Sequence, residues 1–270
     1  MPELAEVEYF RRRWDAGIGH RVLKVALHSN KRVFRGTNTR ALRQELTGAR
    51  LLISEARGKR MLFRFSNENA TPARSWLGLH LGMSGRMQTA SPDFRPQKHD
   101  HLVLYQRGRA LVFTDARQFG RVQFHHGKDA PVWWKNGVPE IISEKFDRIF
   151  LNRFLERHRK APIKAVVLMQ AGFSGIGNWM ADEILWRARI LPSKRAGRLN
   201  ADERAQLFRA TKFVARESLR IIGPDDSKLP RRWLIHERWS AGGKCPRHKT
   251  SLRRATVGGR TTAWCPKCQK

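Results

Sequence analysis

The chain has 270 residues, with 54 Lys and Arg against 23 Asp and Glu, a formal net charge of +31. At 40% hydrophobic residues, with nine Trp and fourteen Phe, it can fill real cores, which excludes a disordered basic tail. No run reaches the ~18 apolar residues of a membrane span, and the opening MPELAEVEYF holds three glutamates where a signal peptide would be basic and then apolar, so a cytoplasmic protein is expected.

Positive charge spread along core-forming segments predicts a polyanionic partner, because phosphate neutralisation then supplies much of the affinity. In PELAEVEYFRRRW, Leu4, Val7, Phe10 and Trp14 fall at helical spacing, with Glu3 and Glu6 early and Arg11 to Arg13 late, as the helix dipole prefers. A helix of about three turns follows. From Val22 to about Phe124 the pattern changes to short β-type runs, RVLKVAL, RMLFRF, WLGLHLG, HLVLYQ, RALVFT and RVQFH, separated by turn residues; this spacing predicts a β-sandwich or barrel. The stretch 127–139, with two Pro, two Gly and the Trp133, Trp134 pair, breaks both periods and marks an interdomain linker, placed at 131–144. Helical periods follow in FDRIFLNRFLERH, IKAVVLMQAG, NWMADEILWRARI and NADERAQLFRATKFVARESLRII. The last opens with Asn200 and Glu203 at capping-box spacing. The predicted organisation is α+β and multi-domain: helix and sandwich over 1–130, a helical domain over 145–232, and a small segment over 233–270.

That last segment holds every cysteine. Cys245-x2-His248, sixteen residues, then Cys265-x2-Cys268 is the spacing of two chelating pairs at the ends of a β-hairpin, the donor set of one tetrahedral Zn²⁺. A disulfide would leave one cysteine over. The hairpin between the pairs carries Lys249, Arg253, Arg254 and Arg260 and no acid, which suits it to phosphates.

Four segments, PELAEVE, HLGMSGRM with TDARQFGRV, GIGNWMADEIL and GGRTTAWCPKCQ, together resemble the formamidopyrimidine-DNA glycosylase family, Fpg or MutM, which also includes endonuclease VIII. The resemblance runs in order from residue 2 to residue 269. It implies a helix-two-turn-helix domain and a zinc-finger hairpin behind the sandwich, and a bifunctional glycosylase and AP lyase of base excision repair. Such an enzyme acts, expected as a monomer, on double-stranded DNA with oxidised bases or abasic sites, with one structural zinc, no nucleotide cofactor and no membrane partner.

Residue by residue, the resemblance makes Pro2 the nucleophile once Met1 is removed, forming a Schiff base with the opened sugar. An α-amino group with a pKa near ~7.7–8.0 has a useful neutral fraction at cellular pH. Glu3 matches the general acid/base, and Glu6 a second, positioning carboxylate. Lys59, in ARGKRMLF, matches the turn lysine that reaches a phosphate and aids catalysis. Met83, Arg117 and Phe119 match the side chains that fill the gap left by an extruded base. Lys164 and Asn178 match DNA-backbone contacts of the helical domain, and Arg260 the hairpin arginine gripping the same phosphates.

Three departures stand out. Ala5 replaces the second proline of the usual PELPEVE, and His248 replaces a usual cysteine, which changes the ligand charge by one unit but leaves a tetrahedral set. The segment GPDDSKLPRRWLIHERW is short where members that prefer 8-oxoguanine have a loop over the flipped base, so a more open pocket and a broader range of lesions are expected. Within the family the alternative is an endonuclease VIII-like enzyme for oxidised pyrimidines or abasic sites. Outside it, the alternative is a damaged-DNA-binding protein without catalysis, which has no need of Pro2 and Glu3.

Overall fold

The computed structural model describes residues 1–66 and 74–270. They form two compact units: Met1–Pro2 with Glu6–Gly137, and Glu3–Ala5 with Val138–Lys270. The division passes through helix α1 (Leu4–Arg12).

The first unit is a sandwich of two antiparallel four-stranded sheets. One has the order β1 (Val22–Leu27), β6 (Asp100–Gln106), β7 (Arg109–Thr114), β5 (Arg86–Ala90). The other has the order β2 (Arg50–Arg57), β3 (Arg60–Ser66), β4 (Arg74–His80), β8 (Arg121–Gly127). The period of two explains the layers. Leu102 and Leu104 of β6 and Phe63 and Phe65 of β3 enter one shared core with Trp14, Leu77 and Phe113. Their neighbours Val103 and Leu62 face the opposite sides, where Leu62 packs with Trp76 and Trp134. The tryptophan pair of the predicted linker therefore lies on the first unit, in the short helix α3 (Val132–Lys135).

Six strands fall where alternation predicts them, whereas β2, β5 and helix α2 (Thr39–Leu46) carry weak signals. In β2 only Leu51 is buried, and in β5 only Met87. Helix α2 is held by the Asn38 side chain, which accepts the amide N–H of Ala41 at 3.0 Å.

The second unit is helical with a terminal hairpin. Helix α4 (Arg148–Arg157) is capped by Asp147, and α5 (Ile163–Val167) leads through a glycine-bearing turn into α6 (Asn178–Ala188). Helix α7 (Ala201–Asp225) is longer than its sequence signal, because it continues through Gly223 and Pro224. Phe146, Phe154, Phe173, Ile184, Leu207 and Val214 belong to its core. Strands β9 (Arg253–Val257) and β10 (Arg260–Trp264) pair antiparallel, and Gln269, beyond β10, donates to the carbonyl of Ile190 just past the end of α6 at 3.0 Å. Among the described residues no helix is long and apolar enough to cross a membrane.

The Asn200 and Glu203 capping box of α7 is formed in both directions, at 2.9 and 3.0 Å. Asn200→Ala should cost about 1 kcal/mol, read from urea unfolding, and Asn200→Gly only a few tenths.

Candidate active site

Within the second unit the turn MQAGFSGIGNWM ends at the N-terminus of α6, whose first amides have no partner inside the helix. Its N-cap, Gly177, has no side chain to offer. Glu3, 174 residues away in sequence, does this work: its carboxylate accepts the N–H groups of Gly177 at 2.9 Å, Trp179 at 3.0 Å and Met180 at 3.1 Å. The next residue, Leu4, donates its N–H to the carbonyl of Gly175 at 3.0 Å. Only glycine fits at 177, since a Cβ there would lie 2.2 Å from Glu3 Cδ. Pro2 is one peptide bond from this fixed carboxylate.

Behind Glu3, the buried carboxylate of Asp182 binds three further groups. It accepts from the Lys164 ammonium, from Arg238 Nε at 2.9 Å and Nη2 at 2.6 Å, and from the amide of Ala263 at 3.3 Å. Lys164 is itself fully buried and also donates to the Asn178 carbonyl at 2.9 Å. Burial lowers its pKa, and Asp182 opposes that shift. Lys164 therefore fixes the position of Asn178 rather than standing free in solvent. Asn178 in turn donates Nδ2–H to the Thr261 carbonyl at 3.0 Å, which joins the start of α6 to the strand that begins with the exposed Arg260. Asp182 and Arg238 were not singled out from sequence; an acid one helical turn beyond Asn178, among apolar neighbours, was the available signal.

In the first unit, Met83 and Phe119 are 40% and 41% exposed, so they occupy loop tips and not the core. Their loops touch backbone to backbone: at Gly82, where φ is +62°, a Cβ would lie 2.4 Å from Gly120 N. Asp115 organises both loops, accepting from Ser84 Oγ at 2.6 Å, Gly120 N at 2.7 Å and Arg117 N at 3.3 Å. The guanidinium of Arg117 lies 5.0 Å from the Phe119 ring centre. The structure thus brings Met83, Arg117 and Phe119 together, and Asp115 is the anchor that sequence reading missed. Lys59 occupies the two-residue turn between β2 and β3 and is largely buried. His80 accepts the Gly82 N–H on Nδ1 at 3.0 Å, and burial, with Lys59, Arg60 and Arg35 nearby, holds its pKa below the ordinary imidazole value.

The donor atoms of Cys245, His248, Cys265 and Cys268 lie within 4.8 Å of one another. His248 Nδ1 is 3.6 Å from Cys245 Sγ and 3.7 Å from Cys265 Sγ. Bond lengths of ~2.3 Å to sulfur and ~2.0–2.1 Å to nitrogen in a tetrahedron give edges of about 3.6 Å, so the set fits a metal ion. Trp186 Nε1–H donates to Cys245 Sγ at 3.3 Å, an outer contact that orients the ligand. Burial and the neighbouring Cys265 push the Cys268 thiol up to about 12, the response of sulfurs packed at a spacing that a cation would relieve.

Residues 1–122 match the formamidopyrimidine-DNA glycosylase N-terminal domain, and residues 138–226 match the H2TH domain of the same enzymes. The formamidopyrimidine-DNA glycosylase of Pelotomaculum thermopropionicum is 33% identical over 285 residues, covering all of this chain and 99% of that protein. The enzyme of that name from Thermus thermophilus is 33% identical over 284 residues, covering all of this chain and 98% of its own. Among solved structures, wild-type Lactococcus lactis Fpg (MutM) with DNA containing an oxidised pyrimidine superposes with a TM-score of 0.85 at 29% identity, over the full length of both chains. The same protein with DNA containing N7-benzyl-Fapy-dG gives 0.86 at 28% identity, again over both full lengths. The chain belongs to the formamidopyrimidine-DNA glycosylase family.

Proposed function

We propose that the protein is a bifunctional DNA glycosylase and AP lyase of base excision repair, working in the bacterial cytosol. With Met1 removed, the secondary amine of Pro2 attacks C1′ of the damaged nucleotide, the glycosidic bond breaks and the base leaves with a proton. The C1′–O4′ bond then opens as O4′ takes a proton, and the resulting iminium acidifies C2′–H, so that β- then δ-elimination expels the two phosphates. The observation that carries this reading is the Glu3 carboxylate, one peptide from Pro2 and fixed by three amides at the start of α6. A group so held can pass protons between the sugar oxygen, the departing base and C2′ without first being ordered.

The other residues take roles consistent with their placement. Met83, Arg117 and Phe119 fill the hole left by the extruded nucleotide, which offsets an unstacking cost of a few kcal/mol. Lys59, Asn178 and Arg260 serve the phosphates beside the lesion, and Lys164 holds Asn178 for that purpose. Zn²⁺ is the metal we assign to Cys245, His248, Cys265 and Cys268. When bound, it supplies folding free energy to a hairpin too small to fold alone.

Formamidopyrimidines are the first substrates, and oxidised pyrimidines are a second class. Only residues 226–233 separate α7 from the turn at Leu234–His236, and within them Leu229 and Trp233 are buried. This leaves little chain to close over a flipped base.

Incubation of the Met1-processed protein with duplexes carrying a formamidopyrimidine, 8-oxoguanine, an oxidised pyrimidine or an abasic site, followed by borohydride, should trap a covalent adduct at Pro2 that Pro2→Gly weakens. No adduct on any duplex, the abasic one included, would leave a damage-binding protein. Gly177→Ala should displace Glu3 and slow base release by about 10²-fold, with duplex affinity by anisotropy retained. Elemental analysis should find one zinc per chain. Its removal by a thiol reagent and chelator should abolish duplex binding, and Cys265→Ser should reproduce that loss.

A further inference from the structure

Helix α6 rises about 16 Å over its eleven residues, and at the end opposite Glu3 lies a cavity of about 370 Å³. Arg187 and Arg189 line it from α6 and its C-cap, Gln206, Arg209 and Phe213 from one face of α7, and Arg247 from the turn between Cys245 and His248. No acid lines it. Arg187 is paired with the buried Glu183 at 2.7 Å, and Glu183 also accepts the Leu234 amide. On α7, Glu217 is bound to Arg220 and Glu203 to Lys194, and Asp202 stands one turn before Gln206 at the start of the helix. Arg189, Arg209 and Arg247 are exposed and have no carboxylate partner among the described residues. Burial lowers the Arg187 pKa and Glu183 opposes that shift.

The aromatic component is equally defined. Phe213 is 42% exposed at the rim, backed by the Arg187 guanidinium at 4.6 Å and the Trp233 ring at 6.2 Å. Arg247 lies 4.1 Å from the Trp186 ring centre and donates to the Trp186 carbonyl at 3.2 Å, so the wall of the cavity is continuous with the metal-ligand cluster.

Guanidinium groups around an open hollow, with one flat ring presented at its edge, form the combination that holds a strand through its phosphates and stacks one base. We infer that this pocket is a second nucleic-acid site, which takes a phosphodiester of a single strand between Arg189, Arg209 and Arg247 and stacks the adjacent base on Phe213. It is separate from the Glu3 end of α6, and its existence does not depend on the catalytic reading. With both sites filled, one molecule holds a duplex and a neighbouring strand at once, a route for transfer between DNA segments.

The test uses the full, metal-loaded chain and an oligothymidylate of about ten residues, long enough for one such site, carrying 4-thiothymidine. Irradiation should attach it to the peptide containing Phe213, both in the free protein and when an abasic-analogue duplex is in excess. In the double variant R189G/R209A that adduct should fall about fivefold, and the salt slope of oligothymidylate binding should become shallower by about 1. Glycine is chosen at 189 because φ there is +60°. Phe213→Leu should lower the adduct while leaving the salt slope in place. Absence of the Phe213 adduct in the duplex-free sample would overturn the inference, as would a folded R189G/R209A that cross-links like the parent. Equal competition by deoxyadenosine monophosphate would overturn it in favour of a mononucleotide site. Failure of the duplex alone to bind would count against the proposed function and not against this pocket, which is read without it.

Discussion

The second unit depends on one carboxylate that caps a distant helix. Helix α6 begins at a glycine and has no local side chain for its first amides, and three of them are satisfied by Glu3 from the far end of the chain. An unpartnered buried amide costs about 1–3 kcal/mol, so the start of the chain is held here by a stability requirement as well as a chemical one. The same bond fixes the residue that follows Pro2. Under the proposed function, positioning the nucleophile and capping the helix are one interaction; the cap itself explains why the turn before α6 ends in a residue without a side chain.

Helix α6 serves as a spine because nearly every side of it is used. Nine of its eleven residues are buried, the pattern of a helix covered all round. Its first turn receives Glu3, Asp182 gathers Lys164, Arg238 and the β10 amide of Ala263, Trp186 reaches Cys245, and Arg187 enters the distal cavity. Breaking a buried ionic set by removing one partner costs more than the set contributes when complete, because the remaining charges stay buried. The Asp182 cluster is therefore better understood as fixing the register between α6 and the hairpin than as a source of net stability. Through it, the Cys and His cluster and the Glu3 carboxylate share a single rigid element.

Sequence was most informative where one residue type carries one meaning. Alternation revealed the strands buried on a full face, such as β3 and β6, and the paired Cys and His spacing marked the ligand set. Strands β2 and β5 were not legible because each buries a single side chain, so pairing with stronger neighbours holds them rather than their own pattern. The site residues followed the same rule. Glu3, Met83, Arg117 and Phe119 stood in recognisable segments, but the partners of Glu3 lie in a turn 174 or more residues away, and no local pattern announces such a bond. Lys164 illustrates the opposite difficulty. Among 54 basic residues a helix lysine looks like a surface charge, and only tertiary contact with Asp182 distinguishes it.

The disposition of charge follows from these anchors. Glu3, Asp100, Asp115, Asp182 and Glu183 are all buried, and each accepts backbone amides, side-chain hydroxyls or the buried cations. These five acids serve inside as fixed acceptors that shape turns and helix ends. Most of the arginine and lysine is left outside, where the guanidinium stems also cover apolar rings. A chain built this way meets a polyanion with a strongly cationic surface, on which Lys and Arg outnumber the carboxylates. Affinity is then distributed over many exposed residues, each contributing little and each screened by salt. The turns and helix ends of the candidate site rest instead on a few buried carboxylates that salt screens much less.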